Sequence, residues 1–208
     1  MSWESVFHGN FDEADQRAWG ELVRNLHQLQ AALASMTMDR ATIDELGEVF
    51  AKWADRLGPL AGPETEQVNG RVVDLPVRGH AMLPELKVST WTTERVEGTV
   101  TFDRFYMGGG MAAHGGVVAL LFDEVLGIQA GMAAATLTRT ASLTTDYRAL
   151  TPIDEELEAS AWVESIVGRK VIVKGELRHN GVVCAEAEGL FLTLLPEQGL
   201  GKRTTDSP

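Results

Sequence analysis

What this chain has little of narrows its identity first. A single cysteine, Cys184, occurs in 208 residues, which excludes an internal disulfide and any cysteine-based zinc site. Cys184 sits in the apolar stretch VVCAEAE with no histidine close in sequence, and reads as a small core or interface residue rather than a nucleophile. Basic residues are scarce: 18 Lys and Arg stand against 30 Asp and Glu, a net charge of −12. Such a surface has little with which to neutralise a phosphate backbone, so nucleic acid is not an expected partner. An anionic ligand would need a locally basic patch. The opening MSWESVFHGNFDEADQ carries acids where a secretory leader carries a basic end and an apolar core, so a cytoplasmic location is the expectation. No internal repeat and no low-complexity tract occurs.

What is present is the balance of an ordinary globular protein, 44% hydrophobic and 23% charged. The length suits one sizeable domain plus an appendage, or two small domains. One long apolar run, Met111 to Leu137, could span a bilayer by length. It holds His114, Asp123, Glu124 and several glycines, however, and a charge at mid-bilayer costs at least about 2.5 kcal/mol. A buried helix is the better reading, with no membrane span.

The first sixty residues read as two helices. AWGELVRNLHQLQAALASM places Leu22, Leu26, Leu29 and Leu33 at three- and four-residue intervals. A second stretch repeats the spacing with Ile43, Leu46, Val49, Phe50, Trp53 and Leu57, with Asp39 or Thr42 as its cap. Two such helices bury too little to stand alone, so they pack on the rest of the chain or on a partner. Glycines and prolines then end the helical pattern. The expected division is a helical extension over 1–62, a linker over 63–70, a main domain over 71–196 and a disordered tail over 197–208. In the main domain, KVSTWTTERVEGTVTF alternates as two strands around a turn near Glu97-Gly98. Three more alternating stretches follow the apolar run, and Asn180-Gly181 is the strongest hairpin signal among their turns. Helices, two strands, a buried helix and about four strands make an α+β layout with an antiparallel sheet.

The buried helix carries the chemistry. At about 100° per residue, Asp123 shares a face with Gly116, Ala119, Gly127 and Ala130, whereas Glu124 faces Val117, Leu120, Leu121 and Ile128. A carboxylate on a stripe of small residues can be approached closely, which favours Asp123 over Glu124 as a site residue. Polar residues are also often merely satisfied, and an acidic pair can be a solvated face. His114 lies nine residues upstream, out of phase with Asp123, and belongs at the helix mouth. Gly115 and Gly116 leave the first backbone amides open to a ligand, where a developing oxyanion would be stabilised.

The string HGGVVALLFDEVLG resembles the helix signature of hotdog-fold acyl-CoA thioesterases of the PaaI/THEM4-like group, with an acid nine positions after the histidine. GHAMLPEL is similar to the group's Pro-containing lead-in to the first sheet strand, and TASLTTDYRAL, VGRKVIVKGEL and CAEAEGLFLTL to later strands, so the likeness runs over roughly residues 70 to 195. The resemblance implies a curved antiparallel sheet wrapped around the helix, and a homodimer, or a dimer of dimers, with shared sites. It implies that Asp123 is general base or nucleophile and that the Gly115 amide, with Gly116, polarises the thioester carbonyl. Thr140 would help place the acid or water, and His114 would orient the loop. Gly168, Arg169 and Lys170 match the group's basic turn for coenzyme A phosphates, with Arg148 a weaker candidate; charge chemistry suits that reading, and a solvated hairpin end suits the same residues equally. No cofactor or metal is expected, coenzyme A being part of the substrate. One departure is the loop MGGGMAA, residues 107 to 113, where many relatives carry Asn or Gly-Pro-Pro; Gly108 to Gly110 have no side chains to pin it.

Two functions follow as expectations. The first is an acyl-CoA thioesterase. The second is a non-catalytic acyl-CoA binding or sensing module with the N-terminal helices as its effector part. A DNA-binding regulator is disfavoured by the lack of a basic recognition helix, and an enoyl-CoA hydratase by the lack of a suitable Asp-His pair. Whether the N-terminal helices lid an acyl tunnel is left open.

Overall fold

The computed structural model describes residues 12–63, 66–70, 72 and 75–195. The expected tail, 197–208, lies outside them. Helix α1 spans Glu13–Ser35; the Asp12 carboxylate caps it by accepting from the Asp15 amide at 2.8 Å, and Glu13 and Asp15 complement the dipole. Its inward face includes three of the four expected leucines, Leu26, Leu29 and Leu33, which are half-buried. Val23 and Gly20 are buried while Leu22 is exposed, because Trp19 and His27 turn that face toward the 79–81 backbone. Helix α2, Arg40–Leu57, has Asp39 at its N-cap position; the Thr42 hydroxyl donates to the Asp39 carboxylate, which holds that carboxyl below its usual range. None of its residues is buried.

The main domain is a six-stranded antiparallel sheet in the order β1-β2-β6-β7-β8-β5. Its strands are β1 (Leu86–Trp91), β2 (Arg95–Thr101), β5 (Thr138–Tyr147), β6 (Glu156–Val167), β7 (Lys170–His179) and β8 (Val182–Thr193). Helix α3, Gly115–Ala134, packs across the face of β5, β6, β7 and β8. Its apolar composition would let it cross a membrane by length, but the sheet covers it. Period-2 burial along β6 and β7 turns Leu157, Ala159, Ala161, Val171, Val173 and Leu177 inward. They meet Leu121, Phe122, Val125 and Leu126 of the helix, each such side chain contributing roughly 1.5–3 kcal/mol when fully buried. The helix seats closely at Gly175, where a Cβ would come within 2.8 Å of Leu126 Cδ1.

Two details differ from the sequence reading. The β1–β2 turn falls at residues 92–94, closed by Thr92 N donating to Arg95 O at 2.8 Å, not at Glu97-Gly98. Gly98 lies inside β2 beside a bulge between Val88 and Thr90, where a Cβ would meet Lys87 O at 2.5 Å. It permits close backbone approach rather than a turn. Asn180 and Gly181, by contrast, take φ of 51° and 79° and form the expected tight hairpin. The glycine loop is itself a small hairpin, β3 (Met107–Gly109) with β4 (Ala112–Ala113). Main-chain bonds pin it, with Ala113 N on Thr151 O at 2.8 Å and Ile153 N on Met111 O at 3.1 Å.

Candidate active site

Asp123 is half-buried on α3, and its Oδ1 accepts a hydrogen bond from the Thr140 hydroxyl of β5 at 2.9 Å. The two residues line a polar cavity of about 180 Å³ together with Gly127, Gly131, Thr138 and Arg139. The small-residue face therefore opens at Gly127 and Gly131. Ala130 is not on it, being fully buried in the core, and Gly116 and Ala119 do not line this cavity.

Glu124 has a different fate. Arg78 grips it with two parallel bonds, Nε to Oε1 and Nη2 to Oε2, both 2.6 Å, while Arg78 Nη1 donates to Gly70 O at 2.9 Å. A bidentate pair of this kind is geometrically specific and gives each carboxylate oxygen a charged donor. Among the described residues Asp123 has no such cation, and its hydroxyl partner leaves it lone pairs for a water or substrate.

The helix mouth is built by His114 at the N-cap. Its backbone N–H donates to Tyr106 O at 2.8 Å, and its Nδ1 accepts from the Gly116 amide at 3.0 Å. Tyr106 is buried against Phe102 and Phe105, and desolvation, with Asp103 beside it, raises its phenol above the ordinary range. This corrects the expectation that Gly116 offers its amide to a ligand: that N–H is already spent on His114. Among the described residues no acceptor faces the Gly115 amide, and the Gly115 carbonyl takes the Tyr147 hydroxyl at 2.7 Å.

Gly168, with φ of 58°, and Arg169 form the exposed β6–β7 turn, and Lys170 opens β7. Arg169 Nε donates to Thr193 O at 3.0 Å, and Thr193 pairs with Thr138 on β5. The basic turn therefore stands at the same end of the sheet as Thr140, the partner of Asp123, with its strand two strand spacings, about 10 Å, from β5. Arg148 does not join them within one chain. It follows β5 at the Gly115 end, engaged by Glu186 at 2.7 Å and Asp146 at 3.3 Å, contacts that raise its pKa. The sequence reading missed Arg78, Arg139 and Tyr147. Arg139 could have been suspected from its place beside Thr140; Arg78 is 46 residues from Glu124 and gave no signal.

With this geometry established, known proteins are informative. Residues 111–185 match the family model described as the thioesterase superfamily. A crystallised thioesterase superfamily protein superposes with a TM-score of 0.69 at 28% identity, over 84% of this chain and 94% of its own. Thioesterase superfamily member 2 of zebrafish, at 17% identity, gives a TM-score of 0.50 over 53% of this chain and 80% of its own. A hypothetical thioesterase protein from Streptococcus pneumoniae, solved with coenzyme A, gives 0.50 at 14% identity over 52% and 88%. The last two likenesses show the fold alone. No curated protein matches. The resemblance read from the sequence thus holds at the level of the thioesterase superfamily and the hotdog fold.

Proposed function

We propose that the protein hydrolyses acyl-CoA thioesters at a site shared between two copies of the chain. The observation that carries this reading is the Asp123 carboxylate, held by Thr140 at 2.9 Å beside an open polar cavity, on the central helix of a thioesterase-superfamily fold. Coenzyme A accompanies the Streptococcus pneumoniae neighbour and is the thiol carrier proposed here. Arg169 and Lys170, at the Asp123 end of the sheet, suit its phosphates in an otherwise acidic protein.

Asp123 and Gly115 are eight residues apart on α3, about 12 Å along its axis. One thioester cannot touch both in a single chain. Strand β5 is the sheet's edge, ten residues long, paired among the described residues only with β8 and mostly exposed. Antiparallel pairing of two β5 strands would satisfy that edge and bring the Asp123 end of one copy against the Gly115 end of the other. Asp123 then takes a proton from water as its oxygen bonds to the thioester carbon. The carbonyl π pair moves onto oxygen, which accepts from the Gly115 amide. The intermediate collapses, the C–S bond breaks, and the coenzyme A sulfur receives the proton held by Asp123. If Asp123 is instead the nucleophile, it forms a mixed anhydride that water then cleaves; label found in the Asp123 carboxylate after a single turnover in isotopically labelled water marks that route, with water attacking the Asp123 carbonyl.

A binding module is the second reading, favoured by the occupied Gly116 amide, which leaves one helix-start donor. Thiol release from acyl-CoA by the wild type, lost in Asp123→Ala, supports hydrolysis. Binding without thiol release supports the module.

A further inference from the structure

A second cavity, of about 150 Å³, lies on the other side of Glu124. Its walls are almost entirely aliphatic: Leu75 and Leu83 from the strap that precedes β1, Leu86 and Val88 from β1, Leu121 and Val125 from α3. It shares Arg78, Glu124 and Ile128 with the polar cavity of Asp123, so the two are neighbours across one threshold. Consecutive carboxylates on the helix, about 100° apart, face these two spaces.

The threshold is held by an unusual piece of backbone. Val77 and Arg78 have φ of 46° and 54°, a conformation that β-branched and long residues rarely adopt. It is held by two side chains of α1 and by one bond within the strap itself. Trp19 Nε1 of α1 donates to Gly79 O at 3.1 Å, His27 Nε2 lies 2.9 Å from Ala81 O, and Arg78 N donates to Leu75 O at 2.9 Å. The Arg78 and Glu124 side chains are only 20% and 21% exposed, so their charges are largely out of water and bound to each other. Such a pair is a rigid, polar jamb, against which an alkyl chain gains nothing.

We infer that the aliphatic cavity receives the acyl group of the substrate, and that Arg78, locked to Glu124, is a positioning residue that sets the width of its entrance. The inference rests on the acyl-CoA reading above. It assigns the N-terminal extension a role: α1 braces the strap that roofs the acyl pocket. The volume restricts the occupant. A largely aliphatic cavity of about 150 Å³ takes about one benzene ring, so the preferred acyl group is compact, of about six carbons.

The test is a chain-length profile, from acetyl- through hexanoyl- to decanoyl-CoA, read in two ways on the full chain. One is kcat/KM on the Asp123-intact protein; the other is Kd on the Asp123→Asn background. Val88→Trp, on an exposed strand edge, should fill the pocket and lower hexanoyl-CoA relative to acetyl-CoA by about tenfold or more in both. The paired change Arg78→Met with Glu124→Gln, which leaves no lone charge, should widen the entrance and raise branched acyl groups relative to hexanoyl-CoA. If thiol release is absent but the Kd profile shifts as described, the pocket stands and hydrolysis falls. Profiles unchanged by both variants, or no dependence of Kd on acyl length, overturn the pocket whether or not thiol is released.

Discussion

The Thr140 hydroxyl, on the sheet's edge strand, donates to Asp123 Oδ1 at 2.9 Å across 17 residues of sequence. This bond fixes one carboxylate oxygen and leaves the other for chemistry. Thr140→Val should therefore lower kcat by about tenfold with little change in KM, the loss expected for one hydrogen bond to a charged group. Thr140→Ser, which keeps the donor, should retain most of the rate. Steady-state kinetics on a turned-over acyl-CoA checks both.

The two adjacent carboxylates should separate cleanly. Glu124→Gln keeps shape but loses the charge that Arg78 clasps, and should cost stability, about 3 kcal/mol by urea denaturation, and shift acyl preference at the entrance while thiol release from short acyl-CoAs persists. Asp123→Asn should do the reverse.

The His114 cap predicts a structural effect at the helix mouth. His114→Ala removes the acceptor of the Gly116 amide and should destabilise the protein by about 1 kcal/mol. His114→Asn, a good N-cap, should restore most of that stability in the same melting experiment.

A shared site makes a complementation prediction. Gly115→Val would press against the Tyr147 ring, which a Cβ already approaches at 3.2 Å. Mixed with Asp123→Ala after unfolding and refolding together, the two inactive chains should recover about a quarter of wild-type activity, since half the dimers are mixed and each has one intact site. No recovery would place both groups in one chain's site or in none.

Cys184 is 1% exposed, and burial pushes its thiol up from the ordinary 9.0. With the pKa raised in the folded state, its contribution to stability is complete below pH 9.0 and is lost as pH rises past that value. Native protein at pH 8 should resist a thiol reagent that labels the unfolded chain within minutes; fast labelling of the native protein would contradict the burial.

Much of the fold was legible where local rules are strong. The helix from Gly115 is marked by its length and apolar content, the Asn180-Gly181 turn by its two residues suited to positive φ, and β6 and β7 by alternation over most of their length. Glu97-Gly98 misled because a glycine needed for close approach to Lys87 O looks in sequence like one needed for a turn. Leu22 misled because the spacing of a helical stripe does not say which edge meets the domain, and Trp19 and His27 decided that through hydrogen bonds. At the candidate site, the helix signature pointed to Asp123 and the strand that follows the helix pointed to Thr140. Arg78 did not, because its pairing with Glu124 depends on a strap whose backbone φ values no residue preference suggests.

The central claim is most directly tested by thiol release from a panel of acyl-CoAs, with wild type, Asp123→Asn and Glu124→Gln side by side. The account predicts turnover by wild type and Glu124→Gln and a loss of at least about a hundredfold in Asp123→Asn, the scale of a missing general base. Full activity in Asp123→Asn, or its loss in Glu124→Gln with the fold intact, would contradict it.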